Sequence, residues 1–307
     1  MSGSLVSGFS TTLILSVAVA VGGTQTVTTP SAWPAVVEHL PPQEVMKVEC
    51  QGTKERAGMP ADQVKNRVPP YRVEGSGPLL IYIAGLDGTG ELFFKQAPAL
   101  ARSYRVVTFR SRDDSRFTYD DLADDVAAII NDLGESRATI LAESFGGGVA
   151  FTFALRHPAM VERLVIINSF ARFHARLKIK AAVMFGAVMP FWLTSQARRL
   201  ANTLGLRAEG VPVEDRRRFF KAIRTVKRPS YVQRLRLIVE LNVEDRLSEI
   251  QAPTLFIAGD KDLLIPSARE ARAMAARMPN AKVKIIRGAG HACLLGNLVR
   301  LADLMAE

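Results

Sequence analysis

Two hydrophobic rhythms alternate along the chain from residue 78 onward. Residues 78–85 (PLLIYIAG) form an unbroken apolar run closed by glycine, the pattern of a central parallel strand buried on both faces. Residues 90–103 then place Leu92, Phe93, Ala97, Leu100 and Ala101 at helical spacing, and residues 104–109 (YRVVTF) predict the next strand. The clearest helix covers residues 118–134, where Leu122, Val126, Ile129, Ile130 and Leu133 make one apolar stripe. Thr118 can cap it, with Asp121 three residues on, and four aspartates gather near its N-terminus, where the helix dipole favours them. Gly134 stops it.

The alternation continues with strand 138–143 (ATILAE), a glycine-rich helix start running on to His157, and strand 163–170 (RLVIINSF). After a long gap come strand 253–260 (PTLFIAGD), helix 267–278, strand 283–287 (VKIIR) and a last helix over 294–305. Nearer the N-terminus, VMKVEC (45–50) and YRVEG (71–75) predict edge strands. Such alternation implies βαβ units and an α/β fold, a mostly parallel central sheet flanked by helices. Residues 171–251 interrupt it; they are helical in pattern and too long for a structureless loop. They predict a helical cap inserted after the sixth strand, over the sheet edge where ligands bind in such folds. The expected division is an uncharged N-terminal segment (1–40), an α/β core (41–170 and 251–307) and a basic helical cap (171–250).

Composition narrows this picture. With 307 residues, 48% of them hydrophobic and 23% charged, the chain can bury one large core or two smaller ones and is not disordered in composition. The net charge is +10, and residues 170–250 hold all of it: 17 Lys or Arg against 7 Asp or Glu, while the remainder carries 23 of each sign. A basic segment suits anionic lipid surfaces or anionic substrates, and is also what a solvated helical face looks like. Within it, the apolar residues 181–193 (AAVMFGAVMPFWL) suit a long acyl chain entering from an anionic membrane, and packing of the cap onto the sheet explains them as well. No nucleic-acid partner is expected, and oligomeric state is not legible.

The first charge of the chain is Glu38. Before it, residues 13–23 (LILSVAVAVGG) end near a small-residue site, Ala18-Val19-Ala20, without the basic start of a signal peptide. The run is also shorter than the ~20 apolar residues that span a bilayer. It reads as a poor signal peptide, a membrane-touching tail or a misplaced start codon. The expected location is cytoplasmic or membrane-associated, with export open if this run acts as a signal. Cys50 and Cys293 have neither metal-ligand spacing nor a disulfide framework, and no metal or organic cofactor is expected.

Candidate chemistry begins at Ala142-Glu143-Ser144-Phe145-Gly146, where a buried strand meets a glycine-softened turn. A serine on a sharp strand-to-helix turn has its hydroxyl pushed out above the sheet, and the residues two before and two after must be small. The Phe145 amide then lies at a helix N-terminus, where unpaired N–H groups can stabilise a developing oxyanion. Glycine for helix packing explains the five residues alone equally well. A serine also needs a base, and the base an acid to orient it. Among His39, His157, His174 and His291, only His291 lies in a loop directly after a late strand (RGAGH), and one aspartate cluster follows the preceding strand (AGDKDLLIP). The order Ser144, Asp262, His291 is that of the nucleophile-elbow enzymes.

On these motifs the chain resembles the α/β-hydrolase family of the serine type. AESFGG, GDKDLLIP and GAGH match its nucleophile elbow, acid loop and histidine loop, and IAGLDGTG (83–90) its oxyanion loop. The GLDGTG wording is similar to plant plastid esterase/acyltransferases acting on fatty acyl groups. The resemblance covers about residues 78–306 apart from the cap. It implies Ser144 as nucleophile, His291 as base and then acid, and Asp262 as its orienter, with Asp260 as the rival for that place. It implies backbone oxyanion donors at Leu86 and Phe145, although Ala84-Gly85 stands where His-Gly is common.

The implied reaction is cleavage of a carboxylic ester or thioester, leaning to apolar acyl esters, with a small-molecule substrate. Acyl transfer with the same triad, and a non-catalytic ligand-binding protein on the same fold, are the alternatives. Dehalogenase and epoxide hydrolase chemistry needs an aspartate where Ser144 stands, and GLDGTG lacks the Lys-Ser/Thr pair of a phosphate loop. Asp87, Phe170 and Phe185 are candidates for substrate contact, Asp87 being equally well explained by an Asp-Gly turn. His157 reads as a helix-end residue, His174 as cap surface and Cys293 as a small packing residue.

Overall fold

The apolar runs become the interior of one sheet in the computed structural model, which describes residues 68–174, 206 and 210–306. Among the described residues seven strands form it: β1 (Tyr71–Glu74), β2 (Leu79–Ile83), β3 (Arg105–Phe109), β4 (Ala138–Glu143), β5 (Val161–Ile167), β6 (Thr254–Gly259) and β7 (Ala281–Ile286). Their order is β1-β3-β2-β4-β5-β6-β7, and only β1 runs antiparallel to its neighbour. β2 is buried along its whole length, as a central strand flanked by helices requires, whereas β1 alternates half-buried with exposed residues at the edge.

Helices α1 (Ala97–Leu100), α2 (Tyr119–Asp132) and α3 (Phe145–Arg156) precede the long insertion. Alternate strand residues divide the core. Ile81, Val107, Ile140 and Ile166 pack with α2 and α3 on one face, while Leu80, Val106, Leu141 and Val165 pack with α1 on the other. The capping box expected at Thr118 and Asp121 is present: the Thr118 hydroxyl accepts from the Asp121 amide at 3.2 Å and the Asp121 carboxylate accepts from the Thr118 amide at 2.8 Å.

Two expected helices are shorter than their periodicity. Residues 90–103 split into a 3-10 turn (Glu91–Lys95) and α1, because Pro98 lacks an N–H and its ring would collide with the preceding turn of a continuous helix. The last helix, α7 (Leu301–Ala306), begins well after residue 294. The Leu294 and Val299 carbonyls instead accept from the buried Gln96 amide, whose oxygen accepts from the Leu301 N–H. The apolar run 163–170 ends as a strand at Ile167, since Asn168 turns the backbone with φ 44°.

In the insertion between β5 and β6, the described part holds α4 (Val213–Arg224), α5 (Arg228–Glu240) and a 3-10 turn (Glu244–Glu249). α4 docks on Glu91–Lys95 through Lys95–Asp215 (3.2 Å) and through Arg218 stacked 3.9 Å over the Phe94 ring. The buried face of α5 is Ser230, Arg234, Leu237 and Ile238. Helix α6 (Ser267–Ala275) then joins β6 to β7. The N-terminal segment, VMKVEC, the apolar stretch 181–193 and Phe185 lie outside the described residues, so the strand before the insertion is the fifth described. No helix among the described residues is long and apolar enough to cross a membrane.

Candidate active site

At the carboxyl end of β4 the chain turns sharply into α3, and the turn is Ser144. Its φ of 53° and ψ of −117° lie in a region costing a non-glycine residue about 1–3 kcal/mol. Short contacts hold it there. The Ser144 amide donates to the Ile167 carbonyl at 2.9 Å, and the Ser169 hydroxyl donates to the Ser144 carbonyl at 2.7 Å. A Cβ at Gly146 would sit 2.5 Å from the Ile83 carbonyl oxygen and 2.7 Å from that of Ala84, so only glycine lets α3 start this close to β2. The requirement for a small residue two places after the serine is thus a packing constraint.

Three loops bring the predicted side chains together. The Ser144 hydroxyl lies 3.0 Å from His291 Nε2, and His291 Nδ1 lies 2.7 Å from Asp262 Oδ2. The other Asp262 oxygen accepts from the Leu264 and Ile265 amides at 2.9 and 3.1 Å, and the Ser267 hydroxyl donates to Oδ2 at 2.5 Å. The Asp262 side chain is fully buried, while His291 keeps 21% of its side-chain surface. Burial pushes the Asp262 carboxyl up, but the neighbouring His291 and the donated hydrogen bonds outweigh it and hold it below its ordinary range. An ionised Asp262 accepts a proton-bearing Nδ1, which leaves the Nε2 lone pair facing the serine hydroxyl. Asp260 is elsewhere: exposed, it accepts from the Gly288 amide at 2.7 Å and closes the turn after β7.

The loop expected to supply an oxyanion donor follows β2. Gly85 and Gly88 close a turn through a 3.0 Å hydrogen bond from the Gly88 amide to the Gly85 carbonyl. The peptide between Gly85 and Leu86 is trans, so with its oxygen turned into the loop the Leu86 N–H points the opposite way. Gly85 lies against the elbow, where a Cβ would be 3.5 Å from the Ser144 Cβ. Among the described residues neither the Leu86 nor the Phe145 amide donates to another protein group. Asp87 serves its own turn, accepting from the Thr89 amide (2.8 Å) and hydroxyl (2.5 Å). Phe170 is 2% exposed and packs edge-on against Phe173 at 5.2 Å, as a core residue. His157 ends α3 and pairs with Asp124 at 3.0 Å, and His174 lies 3.9 Å from Glu270.

Residues missed in the sequence complete the framework. Asn168, 1% exposed, donates to the Gly290 and His291 carbonyls (2.9 and 3.0 Å) and to Cys293 Sγ (3.3 Å), and accepts from the Gly259 amide at 2.9 Å. It ties β5, β6 and the histidine loop together. The available signal was a polar pair, Asn168-Ser169, ending an apolar run. No cluster of three or more His, Cys, Asp or Glu among the described residues is placed to hold a metal ion.

A family model described as alpha/beta hydrolase fold matches residues 78–298. The chain belongs to this family. It is 28% identical over 237 residues (69% of this chain, 83% of the relative) to a protein from Caulobacter sp. (strain K31) named "Putative carbamate hydrolase RutD". A hydrolase from Pseudomonas aeruginosa PA01 superposes with TM-score 0.64 at 26% identity, covering 72% of this chain and 86% of that one. The esterase EaEST from Exiguobacterium antarcticum superposes with TM-score 0.67, covering 77% and 94%, and at 20% identity shares the fold alone.

Proposed function

We propose that the chain is a serine hydrolase cleaving a carboxylic ester or thioester through an acyl-enzyme. The observation carrying this reading is the continuous hydrogen-bonded chain Ser144–His291–Asp262 at the carboxyl edge of the sheet. Ser144 Oγ attacks the carbonyl carbon as its proton passes to His291 Nε2, and Asp262 stabilises the imidazolium without taking the proton. The carbonyl oxygen becomes an oxyanion held by the Leu86 and Phe145 amides. Collapse expels the alcohol or thiol, which takes the proton from His291. Water then attacks the acyl-serine, gives its proton to His291, and the acid is released with Ser144 reprotonated.

Residues 171–250 would form the cap over this site, with the apolar stretch 181–193 favouring apolar acyl groups and the basic charge favouring an anionic surface. A second reading is a carbamate substrate, whose carbonyl is attacked in the same way. The name carried by relatives at 25–28% identity favours it. Acyl transfer needs only an alcohol in place of water.

The test is hydrolysis of p-nitrophenyl esters of increasing chain length, with a p-nitrophenyl carbamate alongside, by wild type and Ser144→Ala. Ester turnover should fall on the order of 10⁴-fold or more in the variant. A carbamate preferred over every ester selects the second reading, and acyl product formed only with added alcohol selects transfer. A folded wild type silent throughout, and unlabelled by a fluorophosphonate, would return the site to a binding role.

A further inference from the structure

α5 carries a residue out of keeping with its surroundings. Ser230, Arg234, Leu237, Ile238 and Leu241 follow one another at helical spacing and are all buried, so a guanidinium stands in a core stripe. Arg234 is 1% exposed, and among the described residues no carboxylate lies within ion-pair distance. It donates instead to three backbone carbonyls: from Nη1 to Leu86 (3.4 Å) and Asp87 (3.3 Å), and from Nη2 to Arg112 (2.9 Å). Among the described residues its Nε has no acceptor, and it lines a small cavity with Gly85, Gly88, Ser111 and Phe145.

Asp87 and Asp113 lie close enough to favour the charge but do not pair with it. Burying a cation without a paired carboxylate is costly, and a leucine at this position would pack the stripe more cheaply. Two features of the turn fit Arg234 specifically. Gly88 has φ 63°, and a Cβ there would overlap the guanidinium. Nη1 serves the carbonyls of Leu86 and Asp87, which no strand can satisfy, while Nη2 reaches the Arg112 carbonyl. One planar guanidinium thus ties the turn to residue 112 from two fixed nitrogens, a geometry lysine does not offer.

We infer that Arg234 is a positioning residue: it fixes the 85–88 turn so that the Leu86 amide stays aimed at the oxyanion. This rests on the serine-hydrolase reading of Ser144. It also makes the oxyanion loop depend on a helix 148 positions further along the chain. Loosening one preorganised donor affects the transition state far more than the bound substrate, so kcat falls and KM does not.

The test compares Arg234→Met, Arg234→Lys and Gly88→Ala with wild type, each checked for fold by circular dichroism and thermal midpoint. With p-nitrophenyl butyrate, Arg234→Met and Gly88→Ala should lose about 30-fold in kcat with KM within ~2-fold, and Arg234→Lys should recover part of the loss. An alkyl boronic acid, whose Ser144 adduct mimics the tetrahedral intermediate, should bind more weakly by the same factor. A folded Arg234→Met with kcat and boronate affinity within ~2-fold of wild type overturns the inference. If Arg234→Met does not fold, Gly88→Ala, which keeps the arginine and displaces it, decides by the same criterion; if that also fails to fold, Arg234→Lys does. Ser144→Ala separates the two claims. Full activity in that variant sinks the serine reading itself, whereas its inactivity beside a fully active Arg234→Met sinks only the role of Arg234.

Discussion

The two sides of the Ser144 site are held by different means. On the Ser144 and His291 side, the supports come from the end of β5 and the chain just past it: Ile167 and Ser169 hold the elbow, and Asn168 holds the loop that carries His291. On the proposed oxyanion side, the 85–88 turn has its own internal hydrogen bond and two outside supports, the Ser111 amide donating to the Gly88 carbonyl at 2.9 Å and the Arg234 guanidinium from α5. The first side is built on paired strands of the sheet. The second depends in part on how the insertion between β5 and β6 docks. Substitutions on the first side should therefore change proton transfer or global stability, and those on the second should change transition-state binding at constant fold.

Asp262→Asn breaks the first side most severely. An amide can present its N–H to His291 Nδ1 and so favour the wrong tautomer, with the Nε2 proton facing the serine, and kcat should fall about 10⁴-fold. The substitution should also alter stability with a definite sign. The folded carboxyl of Asp262 is held below its unfolded value, so its stabilising contribution is present above an ordinary carboxylate pKa of about 3.9 and is lost as pH falls through the lower folded value. Thermal midpoints measured from pH 7 downward should show wild type above Asp262→Asn at neutral pH, the gap closing below about pH 4. A gap that widens on acidification would contradict the depressed carboxyl.

Asn168→Ala tests whether the anchoring itself matters. It removes four side-chain hydrogen bonds, three of them to the histidine loop, and places alanine at φ 44°. Stranding those partners should cost about 2–4 kcal/mol of stability. Loss of the His291 register should lower kcat about 10²-fold, a larger effect than the Arg234 substitutions produce. Denaturant unfolding and steady-state kinetics read the two quantities separately. A stability loss with kcat unchanged would make Asn168 a core residue and nothing more.

The part of this arrangement that the sequence shows is the part written locally. A strand buried on both faces needs a continuous apolar run, and 78–85, 138–143 and 253–260 say so without reference to their neighbours. The proposed triad is legible because each member ends a strand and chain order fixes which loop it occupies. Asn168 and Arg234 are illegible for the opposite reason. Their meaning lies in what they touch, 91 to 148 positions away, and an arginine in RLRLIVE looks like a solvated charge until the stripe it interrupts is known to be buried. The split of residues 90–103 follows from Pro98, whereas the delayed start of α7 follows from Gln96, which takes carbonyls that a longer final helix would have used.

Asp260 and Asp262 stand two positions apart in one loop, and the smallest expected effect separates them. Asp260 accepts from the Gly288 amide, at a position exposed to solvent and without a hydrogen bond to His291. Asparagine at 260 keeps an acceptor oxygen for that amide, so Asp260→Asn should leave kcat and KM within ~2-fold and stability within ~0.5 kcal/mol of wild type. The same chemical change two residues on is expected to cost about 10⁴-fold, which makes the pair a direct measure of how much the orientation of one carboxylate contributes. If instead Asp260→Asn lost tenfold or more while Asp262→Asn stayed active, the acid would have to be supplied by Asp260 through a rearranged 260–266 loop, and the buried, four-times hydrogen-bonded Asp262 would be a structural residue of that loop.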